Sequence, residues 1–597
     1  MSPTIYKSLT PDVDLKIQSI FSHLFTPDGK GNIGGFPGSD PAFIDADTNT
    51  VVSRAVLRSL SLSLAYGLTH PAQPVYAAPY SAPPATPLVP LKKGDTVMIF
   101  APNSIAWPVA LFGSVAAGLR CTLANSAYTP NELHHQWSDS NARLVFAHPS
   151  LVPIVLEMFK MHLGWGAEEA KARIVVLGTE WLTGVKDEGS EAGAAFTQLT
   201  ALLNRGTLKS EVRFDGKDTS ETTYLCYSSG TTGKPKGVET THANIVSVVQ
   251  MVVPVFPPWR RDDVMLGVLP FYHIYGAVKL LHFPFQCGIP VVVMPRFSVD
   301  GFCAHVARYR VTAALVVPPM LLGLAKHPIT LPENAPNLTS LRMLFSGAAP
   351  LGATLVDATR ERLAAVGATV HVTQGYGLTE TSPTTHVLPV ADCLHKVGTI
   401  GVLLPNLEAR LVDEADVDVA PGPDAAGELW LRGPSVMKGY LGNAQATADS
   451  ITADGWFKTG DVAVRDDEGF WKIVDRRKEL IKYKGFQVPP AELESALLAH
   501  PDIADVAVIG IDSRAEETEL PRAYIVPAKP LQAEEHAEFG KGVAEWLKPR
   551  VARHKQLRGG VRVVEVIPKS AAGKILRREL RELAKKEEQD AAPKAKL

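Results

Sequence analysis

The residues best able to do chemistry lie in one short segment, Tyr227-Ser228-Ser229-Gly230-Thr231-Thr232-Gly233-Lys234-Pro235-Lys236-Gly237. Glycines let backbone N–H groups approach an anion closely, hydroxyls donate further hydrogen bonds, and lysines supply charge. The chemistry this composition suits is the gripping of a polyphosphate. It is not a P-loop: that motif needs glycine where Ser228 stands and a hydroxyl residue where Pro235 follows the lysine. Nor is Gly375-Tyr376-Gly377 a dinucleotide fingerprint, because Glu380 occupies the place of the third glycine.

Elements to hold such a segment are legible on either side of it. From about Gly94, short apolar runs alternate with helix-length stretches. Thr96–Phe100 reads as a strand turning through Ala101-Pro102-Asn103-Ser104 into an apolar helix. Further strands are expected at Thr223–Tyr227, Val264–Leu269, Pro290–Met294, Thr312–Val317, Arg342–Phe345 and Thr369–Val372. This pattern predicts a layered α/β domain with much parallel sheet. After Lys396 the texture changes to short strands and turns, such as Leu407–Val412 and Glu428–Arg432, predicting a small β-rich subdomain. Asp475–Gly485 carries seven charged residues, and a compact α+β unit follows. It is expected to hold helices at Ala491–His500 and Ala533–His554, with strands at Asp505–Ile511, Ala523–Val526 and Val561–Val566. The expected organisation is a large unit over residues 1–475 and a small mobile unit over 476–597. Seven prolines between Pro71 and Pro90 predict an extended surface excursion.

Composition narrows the class. The 597 residues carry 60 basic and 62 acidic side chains, a net charge of −2, which gives no electrostatic case for a nucleic-acid partner. A 46% hydrophobic and 20% charged chain is that of a globular protein. The longest nearly apolar run, Ile105 to Gly118, is too short to cross a bilayer, and no signal peptide is expected at Met1–Lys7. Cys121, Cys226, Cys287, Cys303 and Cys393 are odd in number and never in C-x-x-C spacing, so buried free thiols in a reducing compartment are expected.

Further landmarks follow the loop in order. They are Ser346-Gly347-Ala348-Ala349-Pro350, Gln374-Gly375-Tyr376-Gly377-Leu378-Thr379-Glu380, Thr459-Gly460-Asp461, Asp475 through Gly485, and Pro568-Lys569-Ser570-Ala571-Ala572-Gly573-Lys574. With these, the chain from about Lys93 to Lys574 resembles the adenylate-forming superfamily of acyl-CoA synthetases, adenylation domains and beetle luciferases. Leu480 to Gln487 is most similar to the 4-coumarate–CoA ligase branch. The resemblance implies an ATP-dependent acyl- or aryl-CoA ligase. A carboxylate attacks the α-phosphate of ATP to give acyl-adenylate and pyrophosphate, and coenzyme A thiol then displaces AMP.

It also implies residue roles. Ser228, Ser229, Gly230, Thr231, Thr232, Gly233 and Lys236 would hold the phosphates, with Ala348, Gln374, Gly375, Tyr376, Gly377 and Thr379 along the nucleotide. Asp461 and Arg476 would meet the ribose. Glu380 would bind Mg²⁺, a cation suited to a hard oxygen ligand bridging phosphates. Lys574 would bridge carboxylate and adenylate oxygens. Lys482, Lys484, Gly485 and Gln487 would enter for the thioester step, after the small unit swivels at a hinge at Lys478. Lys482 and Lys574, 92 residues apart, are expected on different faces of that unit.

In Leu269–Gly276 the family's histidine gates the acyl pocket, which makes His273 the gate. The pocket walls by the same resemblance are Ile274, Tyr275, Lys279, Gly347, Gly375, Gly377, Pro383 and Thr384. The glycines would leave room for a flat ring, favouring an arylpropenoic or other aromatic acid. Lys279 and Thr384 depart from the family pattern. Helical spacing puts Lys279 on the face of Tyr275, where it would shorten the pocket or meet a polar tail, or else snorkel to solvent.

Alternatives stay open: a medium- or long-chain acyl-CoA synthetase, a stand-alone adenylation enzyme loading a carrier protein, or a non-catalytic module keeping the fold. No room is expected after Lys574 for a carrier domain. Ala595-Lys596-Leu597 is a close variant of the Ser-Lys-Leu peroxisomal address, so a peroxisomal import receptor is an expected partner.

Overall fold

The computed structural model describes residues 4–70, 87–228, 234–256, 258–422, 425–484, 486–513, 516, 518–570 and 573–591. Ser229 to Gly233, Gly485, Ala595 to Leu597 and most of the proline-rich segment lie outside the described residues.

Two large sheets dominate. In the first, Thr197–Gln198, Ile174–Val176, Ala142–Ala147, Thr96–Phe100, Arg120–Ala124 and Thr222–Ser228 run parallel in that order. Antiparallel Lys236–Thr241 and Gly439–Tyr440 complete its edge. Parallel strands buried on both faces read as continuous apolar runs, and Thr96–Phe100 is buried at every position. The helix that follows, Trp107–Ala116, is likewise buried all round. That fits its uniformly apolar sequence and its seat in a core cluster drawing side chains from both sheets.

In the second sheet, His371–Gly377, Met343–Ser346, Ala313–Val316, Met265–Gly267, Val291–Val293 and Pro41–Asp45 are parallel. Val51–Ser53 pairs antiparallel at one edge, and Thr384–Val387 and Val402–Leu403 do so at the other. The strand expected at Thr369–Val372 runs on to Gly377, carrying the Gln374–Gly377 motif into the sheet itself. Pro41–Asp45, Val51–Ser53 and the helix Arg54–Thr69 belong to this layered body too, ahead of the point where the sequence pattern becomes regular.

The β-rich part is a five-stranded antiparallel sheet of Tyr6–Lys7, Glu408–Val412, Gly427–Arg432, Phe457–Arg465 and Trp471–Arg476. Past Arg476 the chain makes a turn and starts new sheets. These are a hairpin of Ile481–Tyr483 with Phe486–Val488, and a three-stranded sheet of Ile503–Ser513, Thr518–Pro527 and Val561–Val563. Helices Pro490–Leu498, His536–Leu547 and Arg577–Ala591 accompany them over separate apolar clusters. The helix expected over Ala533–His554 is shorter than predicted. It gives way at Leu547 to a 3₁₀ turn, because Pro549 has no N–H to continue the ladder. No helix among the described residues is long and apolar enough to cross a membrane.

Candidate active site

The carboxyl ends of the parallel strands, where open α/β sheets bind ligands, border a cleft of about 1070 Å³. Thr222–Ser228 delivers Ser228 to it, and Ser346 leads into Gly347 and Ala348. His371–Gly377 delivers Gly375, Tyr376 and Gly377. The small unit closes the other side with Lys482, Glu519, Ser570 and Lys574.

The phosphate-loop segment connects two antiparallel strands, Ser228 pairing directly with Lys236. This strand–strand setting differs from the strand–helix setting of a P-loop. Both flanking residues line the cleft, and the Lys236 ammonium lies 4.1 Å from the centre of the Tyr440 ring. Ser228 Oγ is buried without a hydrogen-bond partner among the described residues, so it is a donor available to an anion.

Asp461 and Arg476 are direct cross-strand partners, which explains how residues 15 apart form one unit. Arg476 Nε stands 3.2 Å from Asp461 Oδ1, and the Tyr376 hydroxyl donates to Oδ2 at 2.5 Å. Burial raises the pKa of Asp461, opposed by Arg476 and by the Tyr376 bond. A carboxylate offers about four lone-pair sites, so two further hydroxyl donors can be accommodated.

Lys574 reaches the same place from a tight turn. The Ser570 N–H donates to the Lys574 carbonyl at 2.8 Å, and the Lys574 N–H to Ser570 Oγ at 3.2 Å. Gly573 has φ +78° and packs where a Cβ would meet Val317 at 3.2 Å, so the turn both needs and uses a glycine. Burial, with Arg476 nearby, lowers Lys574 to about 8, while Glu479 and Asp461 pull the other way. His273 faces the cleft with Nδ1 accepting the Tyr275 N–H at 3.2 Å. Burial, with Lys574 adding to it, lowers His273 to about 4. Its ring is therefore neutral at physiological pH, with Nε2 carrying the proton.

Glu380 is buried on the 3₁₀ turn Thr379–Thr381 and lines the cleft. Its Oε1 accepts from the Tyr440 hydroxyl at 2.9 Å. No cluster of three or more metal-ligating side chains exists among the described residues. Glu380 therefore fits a magnesium ion carried chiefly by phosphate and water oxygens rather than a protein cage.

Ala348 adopts φ +68°, a left-handed conformation costing an L-residue about 1 kcal/mol. Thr379, Ile274, Tyr275, Pro383 and Thr384 all line the cleft. Gln374 does not: it is buried, and its amide donates to the Thr399 carbonyl. Lys478 lies in the turn between the two sheet systems and also borders the cleft. Lys482 and Gln487 are opposite each other in the hairpin, but only Lys482 lines the cleft. Lys484 instead pairs with Glu516 at 2.8 Å. Lys482 and Lys574, expected on different faces of the small unit, both border this cleft.

Gly347, Gly375 and Gly377, expected to leave room for a flat ring, line the cleft and also let neighbouring segments pack closely. A Cβ on Gly377 would sit 1.8 Å from the Pro383 carbonyl oxygen, and one on Gly347 3.0 Å from the Tyr275 ring. They allow protein to approach protein, and the room for a ring is set by aromatic walls. Phe256 stacks on Phe345 at 4.7 Å and meets Phe283 at 5.0 Å. These three phenylalanines, with Tyr440, Glu428 and Arg477, are cleft residues that sequence reasoning missed. Of these only Arg477 lies in a marked motif, although Phe345 immediately precedes another.

A family model described as AMP-binding enzyme matches residues 89–441, and one for the AMP-binding enzyme C-terminal domain matches 492–574. The chain is 38% identical over 499 residues to 4-coumarate–CoA ligase-like 4 of Oryza sativa subsp. japonica, covering 83% of this chain and 84% of the relative. It is 33% identical to peroxisomal OPC-8:0-CoA ligase 1 of Arabidopsis thaliana, covering 83% and 85%. Among solved structures it is similar to o-succinylbenzoate CoA synthetase of Bacillus subtilis in complex with the acyl-adenylate intermediate. That match has a TM-score of 0.72 and 25% identity, and covers 95% of this chain and 99% of the other. The chain belongs to the AMP-binding enzyme family, the adenylate-forming superfamily expected from its motifs. Its activity is that of an AMP-forming acid–CoA ligase using ATP and coenzyme A.

Proposed function

We propose that the acid activated is aromatic, with an arylpropenoic acid favoured, and that the cleft residues divide the two half-reactions between them. The observation carrying this reading is the convergence of Lys574, Arg476 and His273 on one cleft whose far wall is aromatic, with Asp461 held against Arg476 just behind it. Attack of a carboxylate on the α-phosphate brings an anion to a polyanion, so oriented cations lower the barrier most. Lys574 holds the attacking carboxylate oxygen beside the adenylate oxygens. Asp461 accepts the ribose hydroxyls and Arg476 keeps that carboxylate charged and oriented. Ser228 through Lys236 grip the departing pyrophosphate. Neutral His273, pinned through Nδ1, shields the reacting carboxyl from the acyl side. A magnesium ion on Glu380 supplies charge neutralisation at the phosphates when bound.

For the second half-reaction the small unit turns about Lys478, withdrawing Lys574 and advancing Lys482, with Lys484, Gly485 and Gln487 beside it. Residues 476–480 form a compact turn between two sheets, a place where a few backbone angles can absorb the motion.

The test is a pyrophosphate-release panel over aryl, arylpropenoic, medium-chain and long-chain acids, with and without coenzyme A. Arylpropenoic acids should give the highest kcat/KM and consume coenzyme A stoichiometrically. Preference for straight chains would overturn the aromatic reading. We also propose peroxisomal import through Ala595-Lys596-Leu597, a compartment that also appears in the name of one relative. A tagged chain ending at Leu597 should enter peroxisomes, and removing Leu597 should leave it in the cytosol. Peroxisomal retention after that deletion would refute the address.

A further inference from the structure

One buried charge in the cleft has no use in the reaction just described. Lys279 lies in the π-helical stretch Ala277–His282, inserted between the short helices Ile274–Gly276 and Phe283–Cys287. Such wide turns re-aim side chains and concentrate at functional sites. The stretch is held firmly. His282 Nδ1 lies 2.9 Å from the Ala277 carbonyl five residues back, and Nε2 lies 2.7 Å from the Tyr224 hydroxyl.

The Lys279 side chain does not snorkel to solvent. It is 4% exposed, it lines the cleft, and its Nζ is buried without a hydrogen-bond partner among the described residues. Its surroundings are aromatic: Nζ stands 5.3 Å from the centre of the Phe283 ring, which in turn packs on Phe256 at 5.0 Å. No carboxylate pairs with it among the described residues. Among the described residues its titratable neighbour is Cys287, a thiol pushed up to about 12 by burial and therefore neutral.

An ammonium buried with neither counter-charge nor acceptor costs several kcal/mol, and a cation–π contact with phenylalanine returns about 0.5–2 kcal/mol. The burial lowers Lys279 to about 7, so the charged form is still populated near neutrality. A protein that keeps such a group facing a substrate cavity leaves its partner to come with the substrate. Lys574 is surrounded by Asp461, Arg476 and His273, whereas Lys279 faces Phe283 and Cys287. The two lysines therefore address different ends of one ligand.

Resting on the aromatic-acid reading above, we infer that Lys279 docks a second carboxylate at the end of the substrate remote from the reacting carboxyl, so that the preferred substrate class is a rigid dicarboxylic acid. A carboxylate supplies both the missing charge and enough lone pairs for the three ammonium donors. A hydroxyl supplies a dipole and leaves the charge uncompensated.

The experiment separates binding from turnover. Calorimetry measures Kd of the full chain for three acids of matched shape, 4-carboxy-, 4-hydroxy- and 4-methyl-phenylpropenoic acid. The measurement is repeated with Lys279→Met and Lys279→Arg. The 4-carboxy acid should bind at least tenfold tighter than the 4-methyl acid. The ratio should invert in Lys279→Met and return in Lys279→Arg. Because both acids are compared within each variant, a general folding defect cancels. A ratio unchanged in Lys279→Met, or a tighter fit for the hydroxy or methyl acid in the unmodified chain, overturns the inference. Pyrophosphate release and coenzyme A consumption are scored separately on the same acids, so failure of the ligase reading shows there and not in Kd.

Discussion

Replacing Lys574 with alanine should lower adenylate formation by about 10²–10³-fold, the loss typical of one preorganised donor to transition-state charge. Conversion of supplied acyl-adenylate to thioester should survive. Lys482→Ala should show the reverse pattern, slowing the thioester step while pyrophosphate release persists. Isotope exchange between ATP and pyrophosphate reads the first half-reaction, and thioester formation from synthetic adenylate reads the second. The pH dependence sharpens the assignment. Burial lowers Lys574 to about 8, so the protonated cation that the first step needs is lost as pH rises through that value. Adenylation should therefore fall on the alkaline side of about 8. In Lys574→Arg that limb should vanish, because a guanidinium stays protonated there. Equal damage to both half-reactions in both alanine variants would sink the division of labour and with it the swivel at Lys478.

A second large effect is expected three residues further on. Arg577 donates to Glu479 at 2.8 Å, to both oxygens of Glu494 at 2.8 and 2.7 Å, and to the Val508 carbonyl at 3.2 Å. All three charged side chains are about 10% exposed. The network ties the 476–480 turn, the helix Pro490–Leu498, the strand Ile503–Ser513 and the start of Arg577–Ala591 to one guanidinium. Removing the cation leaves two buried carboxylates unpaired, a change worth about 3–5 kcal/mol. Arg577→Ala should therefore lower the opening free energy of the small unit by that amount. Hydrogen exchange of the Pro490–Leu498 amides reads it directly. Arg578→Ala is the control: its side chain is 69% exposed and its contact with Glu582 is 3.7 Å, so a loss under about 0.5 kcal/mol is expected. Equal protection in the two variants would show that the buried network is not what stabilises the unit.

Those neighbours mark where sequence reasoning stops. In the chain, Arg577, Arg578 and Arg581 are three similar cations on a charged helix. Only helical phase against the sheet makes one of them buried and the next a surface charge. Lys279 is similar. Spacing put it on the Tyr275 face, but the choice between the pocket and solvent depended on the π turn and on the packing that buries it beside Phe283. The glycines were legible as glycines, yet the close packing they also allow was not. Gly377 answers to the Pro383 carbonyl and Gly347 to the Tyr275 ring. Gln374 carries a motif position and still turns away to Thr399.

What the sequence determined by itself is the inventory and order of the chemistry: the Ser228–Gly237 loop, Glu380, Asp461, Arg476 and Lys574, on an alternating pattern that forces parallel sheets. Residue type, local spacing and apolar periodicity are properties of short stretches, so one chain suffices to read them. Only the tertiary structure decided that Asp461 and Arg476 face each other in register and that the Pro568–Lys574 turn docks on Val317. The same holds for Lys279, buried without a hydrogen-bond partner among the described residues. These are consequences of pairings distant in the chain and of the low dielectric that packing creates. A lysine acquires a lowered pKa, and an arginine becomes indispensable, only when other elements remove the water around it.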